Sequence, residues 1–213
     1  MERKNKISSI SLFTYPLMLV QLDLDLEKLT EFAYQLQNEN KKGVNLTNRG
    51  GWHSADIDND SHEELNKLKK EITQHLQMYH SEVFRGMKFK GNVIQSLSNM
   101  WVNINEKHHY NEWHIHPYAT LSGVFYIKHN GAENGDILFK HPNHQYMSFA
   151  HCPANLVELP NRITSGVVNV TPNSNMLILF PAWLEHKADT NLKNDTRISL
   201  SFNSFLKSEK NNG

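Results

Sequence analysis

The chain has 213 residues, with 22 Lys and Arg against 22 Asp and Glu, and 38% of its residues are hydrophobic. This size suits a single globular domain, and the balanced charge gives no overall attraction to nucleic acid or to an anionic membrane. Cys152 is the only cysteine, which excludes an internal disulfide, and no apolar run reaches the roughly 20 residues needed to cross a bilayer. We therefore expect a cytoplasmic protein with no nucleic-acid or membrane partner.

Two amphipathic helices are predicted in a helical N-terminal part, residues 1–91, after a first strand in SLFTYPLMLV. Asp25 caps the first helix, and the spacing of Ser61 and Glu64 is that of a capping box for the second. The segment between the helices, GVNLTNRGGWHSADIDND, is rich in Gly, Asn and Asp and predicts a long loop. The apolar positions of the two helices recur at helical spacing: Leu26, Leu29, Phe32, Ala33 and Leu36, then Leu65, Leu68, Ile72, Leu76 and Tyr79.

From residue 92 the hydrophobic period becomes two, which is typical of strands. LSNMWVNIN, LSGVFYIKH, GDILFKH, ANLVEL, SGVVNVT, SNMLILF and TRISLSFNSF are the predicted strands. Helices followed by many short strands predict a mainly β fold with helices (α+β), a β-sandwich or jelly roll with two or more N-terminal helices packed on one sheet. We expect one domain over residues 1–213, with a β core at 92–206 and a polar tail at 207–213.

Three histidines are the strongest candidates for a metal site. His114 and His116 alternate in HIHP, so an extended backbone points both side chains the same way. His186 follows the strong strand NMLILF and is the best third ligand, since histidine is the commonest metal ligand in proteins. We expect His108 and His109 to be surface residues. His141, His144 and His151 are expected in loops near the mouth of the barrel.

Arg197 is the candidate anion-binding residue. It shares one strand face with Ser199, Ser201 and Asn203, while the alternate residues of the strand are apolar. Burying an arginine beside a metal is costly without an anion, and its planar fork suits a carboxylate. The pattern therefore predicts a carboxylate-bearing small molecule next to the metal.

These motifs resemble the iron(II)- and 2-oxoglutarate-dependent oxygenases, within them a group of small proteins with an H-x-H-P core. The resemblance rests on SLFTYPLMLVQLDL, TNRGGWHS, HIHPYATLSGVFYI and FPAWLEHKADTN…TRISLSFN. It implies a double-stranded β-helix (cupin-like jelly roll), with Fe(II) bound by His114 and His186 and the distal carboxylate of 2-oxoglutarate bound by Arg197. It also implies cosubstrate contacts from Tyr126 and Ser199, and from Asn103 or Asn105.

His116 departs from this family pattern, which places Asp or Glu at that position. We expect His116 to be the third metal ligand, as in the three-histidine sites of some cupin dioxygenases. Glu112, Glu185 or Asp189 are the alternative sources of a carboxylate.

The expected function is oxidative decarboxylation of 2-oxoglutarate with O₂, coupled to hydroxylation of a small-molecule or peptidyl substrate. The alternatives are a three-histidine dioxygenase that uses no 2-oxo acid and a non-enzymatic, metal-bearing jelly-roll binding module. The amphipathic N-terminal helices also allow a homodimer.

Overall fold

A six-stranded antiparallel sheet, here called the major sheet, forms the centre of the computed structural model. The structure describes residue 8 and residues 14–58, 61–150, 156–158 and 161–208, and residues 148–150 are described by their backbone alone. The helices are α1 (Leu26–Glu39), α2 (Glu63–Val83) and α3 (His144–Ala150). The strands are β1 (Met18–Gln21), β2 (Asn48–Arg49), β3 (Trp52–His53), β4 (Val93–Asn105), β5 (Tyr110–Asn111), β6 (Leu121–Lys128), β7 (Ile137–Lys140), β8 (Val167–Val170), β9 (Met176–Pro181), β10 (His186–Ala188) and β11 (Arg197–Ser208).

The major sheet has the strand order β1-β9-β6-β11-β4-β3, and a smaller sheet has the order β10-β7-β8. Strands β2 and β5 form a separate two-stranded sheet. In the major sheet β11 lies between β4 and β6, where Ser199 pairs with Asn103 on one side and with Tyr126 on the other. The central strand β11 therefore brings together three of the predicted site residues.

The two faces of the major sheet have different partners. One face packs against α1 and α2, and Leu29, Leu68, Val102, Leu200 and Phe202 belong to this buried core. A second buried cluster joins β6 and β9 to β7 of the smaller sheet. The molecule is thus layered as helices, major sheet and smaller sheet, which confirms the predicted mainly β jelly roll with helices on one sheet.

The first helix is capped by the predicted residue, but the cap of the second helix lies one residue later than predicted. The side chain of Asp25 accepts a hydrogen bond from the Lys28 backbone N–H at the start of α1. At α2 the capping residue is His62, whose Nδ1 accepts from the Leu65 N–H at 3.1 Å. Glu64 accepts from the Asp25 N–H instead. The Ser61–Glu64 capping box is therefore wrong, because a histidine ring nitrogen takes the capping position.

Several short elements depart from the sequence prediction. The predicted loop at residues 43–60 contains β2 and β3, and β3 pairs with β4 as an edge strand of the major sheet. The helix α3 lies inside the predicted β core. Of the predicted strand ANLVEL, residues 156–158 are not in a strand, and residues 154, 155 and 159 lie outside the described part of the chain.

The N-terminal part and the β core share one sheet, since β1 and β3 supply its two edges. At the other end β11 runs to Ser208, two residues into the predicted tail. The apolar stripes of α1 and α2 pack into this chain's own core, and the homodimer stays a prediction. Within the described residues, none of the helices has the length and apolar character needed to cross a bilayer.

Candidate functional site

A cavity of about 480 Å³ opens between the two main sheets. All eight predicted site residues line it: His114, His116, His186, Arg197, Tyr126, Ser199, Asn103 and Asn105. They come from β4, β6, β10, β11 and the segment between β5 and β6. Residues that are far apart in the sequence therefore converge on one cavity.

The three histidines are held together by backbone hydrogen bonds. His114 and His186 form an isolated antiparallel bridge, each backbone N–H donating to the other's carbonyl at 3.0 Å. The His116 N–H donates to the carbonyl of Ala182 at 2.9 Å. One ring nitrogen from each histidine lies within 4.8 Å of the others, and Nε2 of His116 lies 3.3 Å from Nε2 of His186. This is the spacing of a metal site.

Backbone carbonyls fix the tautomers of two of these rings, those of His114 and His186. Nδ1 of His114 lies 2.6 Å from the carbonyl oxygen of Glu112, and Nδ1 of His186 lies 2.8 Å from that of Leu184. A carbonyl only accepts, so each Nδ1 carries the hydrogen and each Nε2 keeps its lone pair. A second group that orients a ligand histidine in this way is typical of metal sites.

Burial keeps all three rings neutral. It lowers the pKa of His114, lowers the pKa of His116 to about 4, and holds the pKa of His186 well below its ordinary value. Positive charge on a neighbouring histidine would lower the pKa of His116 and His186 further. The rings are therefore unprotonated near neutral pH, which is the form that binds metals.

The three alternative carboxylates are engaged elsewhere. Glu112 pairs with Arg49 at 2.7 Å, Glu185 with Lys140 at 2.6 Å and Asp189 with Lys187 at 2.9 Å. The residues close enough to share one ion, among those described, are the three histidines alone.

Arg197 begins β11 and is only 1% exposed. Its Nη1 donates to the carbonyls of Asn134 (2.9 Å), Gly135 (3.0 Å) and Asp189 (2.8 Å). Its Nη2 is buried and has no hydrogen-bond partner, and no carboxylate of the described chain forms an ion pair with it. Burial lowers the pKa of the guanidinium. A buried positive group with a free donor beside a cavity is set to bind an anion.

Tyr126, Ser199, Asn103 and Asn105 surround this arginine on the neighbouring strands. Burial raises the pKa of Tyr126, while the charge of Arg197 acts in the opposite direction, so the hydroxyl stays protonated at neutral pH. Asn103 donates through Nδ2 to Ser201 at 3.3 Å, and its Oδ1 is buried without a partner. Asn105 pairs with Arg197 in the sheet register.

The cavity also contains residues to which the sequence analysis gave no role in the site. His53, Asp56, Asn99 and Trp101 line it, as does Asn203. The alternation of β4 and β11 carries a signal for Trp101 and Asn203, because both lie on the same strand faces as predicted site residues. No local signal marks His53. The other histidines expected near the mouth, His141 and His144, do not line the cavity, and His151 lies outside the described residues.

A sequence model for the family described as "Putative 2OG-Fe(II) oxygenase" matches residues 99–203, which include all eight predicted site residues. No curated protein sequence matches the chain.

Solved structures of similar fold share little sequence with this chain. A prolyl-4-hydroxylase from Pseudomonas putida aligns with a TM-score of 0.60 at 13% identity, over 93% of this chain and 96% of that one. A collagen prolyl hydroxylase from Paramecium bursaria chlorella virus-1, in its 2-oxoglutarate complex, aligns with a TM-score of 0.55 at 11% identity, over 91% and 96%. The epimerase SnoN, in complex with Fe³⁺, α-ketoglutarate and nogalamycin RO, aligns with a TM-score of 0.59 at 13% identity, over 92% and 82%. These matches identify the fold as a double-stranded β-helix.

Proposed function

We propose that this chain, whose residues 99–203 match the sequence model of a 2OG-Fe(II) oxygenase family, couples oxidative decarboxylation of 2-oxoglutarate to hydroxylation of a second substrate. In this proposal His114, His116 and His186 hold Fe(II), and Arg197 binds the distal carboxylate of 2-oxoglutarate. The observation that carries it is the unpartnered Nη2 of Arg197, in the same cavity as three converging histidines.

The histidine cluster fits an iron ion in spacing and in charge state. Metal–imidazole bonds of about 2.0–2.1 Å at right angles place neighbouring ligand nitrogens about 3 Å apart. The 3.3 Å between Nε2 of His116 and Nε2 of His186 is close to this value. Both rings are neutral, and the tautomer of His186 is fixed by the Leu184 carbonyl. Three protein ligands also leave room for a bidentate cosubstrate and O₂ on an octahedral ion.

The Arg197 end of the cavity fits a carboxylate. The three carbonyls around Nη1 hold the guanidinium plane in place, and Nη2 remains available to donate. Tyr126 adds a protonated hydroxyl beside it. We assign Ser199 and Asn105 as further polar contacts of the cosubstrate, because both line the cavity next to Arg197 in the sheet. One of the two N–H groups of the Asn103 amide is engaged with Ser201, which leaves a single N–H to donate to the cosubstrate and makes Asn103 the weaker candidate.

Iron, when bound, supplies the reaction with O₂, while the protein supplies binding, orientation and exclusion of water. Arg197 and Tyr126 fix one end of 2-oxoglutarate, so that its 2-oxo acid end is presented to the histidines. With His116 in place of a carboxylate, the net charge of the three side-chain ligands is one unit more positive than that of two histidines and an acid. This extra charge favours binding of a dianionic cosubstrate.

We also propose that the reaction takes place in the cytoplasm, because the chain has one cysteine and no possible internal disulfide.

The test is O₂ consumption and succinate release by the Fe(II)-loaded protein, with and without 2-oxoglutarate. Both signals should require 2-oxoglutarate. Arg197→Gln should raise the half-saturating 2-oxoglutarate concentration by about tenfold or more, the loss expected for one hydrogen bond to a charged group. The control is Arg85→Gln, which removes a surface arginine paired only with Glu82. Equal O₂ consumption without 2-oxoglutarate would instead identify a three-histidine dioxygenase, and stoichiometric iron with no O₂ consumption would identify a binding module.

A further inference from the structure

The cavity continues well past the part that 2-oxoglutarate would fill. Four residues of β11 face it in succession, namely Arg197, Ser199, Ser201 and Asn203. The six residue steps along the strand from the first to the last of these correspond to ~20 Å. A five-carbon dicarboxylate held between Arg197 and the histidines occupies one end of this length. The other end is left for the second substrate.

We propose that this second end is a subsite for a protonated nitrogen group, an ammonium or guanidinium, on the substrate to be oxidised. We call it the acceptor subsite and define it by His53, Asp56, Trp101 and Asn103. The proposal rests on the oxygenase function proposed above and specifies the class of substrate. Trp101 connects the acceptor subsite to the metal site, since its ring centroid lies 5.7 Å from that of His116.

Asn103 contributes a buried acceptor. Its side chain is 7% exposed, its Nδ2 donates to Ser201, and its Oδ1 is enclosed without a partner. A buried polar atom left unpaired costs about 1–3 kcal/mol, and nearly all such atoms in folded proteins have partners. Because this oxygen belongs to a side chain that lines the cavity, a hydrogen-bond donor on the substrate would satisfy it.

His53 contributes a second acceptor. Nδ1 of its ring lies 2.6 Å from the carbonyl oxygen of Ser54, so Nδ1 carries the hydrogen. Burial lowers the pKa of His53, and the neutral ring therefore keeps a lone pair on Nε2. The ring is stacked on Trp101, with centroids 5.5 Å apart and planes within 9°. Strand pairing between β3 and β4 sets this position by placing His53 opposite Asn103.

Asp56 contributes the negative charge, and a chain of amides is oriented toward it. Ser122 Oγ donates to Asn203 Oδ1 (2.8 Å), Asn203 Nδ2 donates to Asn99 Oδ1 (3.2 Å), and Asn99 Nδ2 donates to Asp56 Oδ1 (3.0 Å). A carboxylate only accepts, so it fixes the direction of every bond in this chain. One N–H of each of the Asn99 and Asn203 amides is thereby engaged within the protein, and Asp56 is exposed at the cavity, where its carboxylate can also accept from a ligand.

The charges along the cavity are separated. Among the described residues that line it, Arg197 is the single Lys or Arg and Asp56 the single Asp or Glu, and they belong to opposite ends. One end therefore suits an anion, and the other presents a carboxylate, two neutral acceptors and an aromatic ring. An organic cation suits this end, because ammonium and guanidinium donate hydrogen bonds to neutral acceptors and are attracted to a carboxylate. A carboxylate or phosphate would meet the Asp56 carboxylate and two neutral acceptors there, and no Lys or Arg among the described residues that line the cavity.

The experiment measures binding without turnover. Protein loaded with Zn(II) in place of iron and saturated with 2-oxoglutarate is titrated with four probes of one chain length: butylammonium, butylguanidinium, 1-butanol and butyrate. Saturation-transfer NMR reports binding of each probe and, in the same sample, binding of 2-oxoglutarate. We expect the two cations to bind about fivefold more tightly than butanol, as for a partly exposed ion pair, with no binding of butyrate.

Asp56→Asn should remove the preference for the cations, and Asp58→Asn, which changes an exposed carboxylate outside the cavity, should leave it intact. Equal binding of butanol and butylammonium, or a preference that survives Asp56→Asn, would overturn the acceptor subsite. These outcomes are separable from failure of the oxygenase function, in which 2-oxoglutarate itself would not bind.

Discussion

Replacing Gly135 by alanine should weaken 2-oxoglutarate binding, although Gly135 itself makes no proposed contact with the cosubstrate. Gly135 has φ +93°, and a Cβ built on it would lie far inside 3.0 Å of both Arg197 Nη1 and the Asp189 carbonyl. These are the two partners of a hydrogen bond that holds the guanidinium. Restoring an ordinary contact of at least 3.4 Å requires the arginine or the backbone to move.

The size of the effect follows from the interaction that Arg197 is proposed to make. A hydrogen bond to a charged group contributes about 1.5–3 kcal/mol, so misplacing Nη2 should raise the Kd for 2-oxoglutarate by about 10- to 150-fold. Alanine in the left-handed conformation also costs roughly 1–2 kcal/mol of folding stability, independent of the arginine.

A matched control separates these two effects. Gly131 also has positive φ, at +77°, but the nearest atom to a Cβ built there is Lys193 Nζ at 4.0 Å. Gly131→Ala should therefore lose similar stability in urea unfolding and keep the wild-type Kd, measured by calorimetry on the Zn(II)-loaded protein. If both variants bound 2-oxoglutarate equally well, the proposed role of the carbonyl cradle around Arg197 would be refuted.

Two further predictions concern the histidines. His186→Ala should lower the iron content of the reconstituted protein from stoichiometric to near zero, whereas His75→Ala, in α2 and outside the cavity, should not; equal iron content by elemental analysis would place the metal elsewhere. The apoprotein should lose stability as the pH falls from 6.5 to about 4, because the unfolded chain then binds protons at His116 that the folded chain does not. The free energy of unfolding should change by up to about 1.4 kcal/mol per pH unit for one such histidine. Urea unfolding at a series of pH values should give a smaller pH dependence for His116→Asn. An unchanged pH dependence would contradict the burial of a neutral ring.

The two-residue periodicity of the sequence was sufficient to predict much of the cavity wall. The alternation along β4 and β11 places Asn103, Ser199 and Arg197 on one face, and in the structure these residues line the cavity. Each strand is long enough for the two-residue period to be unambiguous. The Asp25 cap was likewise predictable, because capping depends on neighbouring residues.

The parts of the site that depend on pairing between strands far apart in the sequence could not be predicted from local periodicity. His53 lies on a two-residue strand, and its position follows from pairing with Asn103, fifty residues later. The cradle of Arg197 uses backbone carbonyls of Asn134, Gly135 and Asp189, which carry no side-chain signature. The orientation of the amide chain toward Asp56 is likewise a property of the folded molecule.

The most direct test of the central claim is anaerobic spectroscopy of the Fe(II)-loaded protein with 2-oxoglutarate. We expect a visible charge-transfer band from chelation of iron by the cosubstrate. The 2-oxoglutarate concentration needed for half of the band should rise in Arg197→Gln and stay unchanged in Arg85→Gln. Stoichiometric iron with no band at saturating 2-oxoglutarate would contradict the account, because the three histidines would then bind a metal that does not use this cosubstrate.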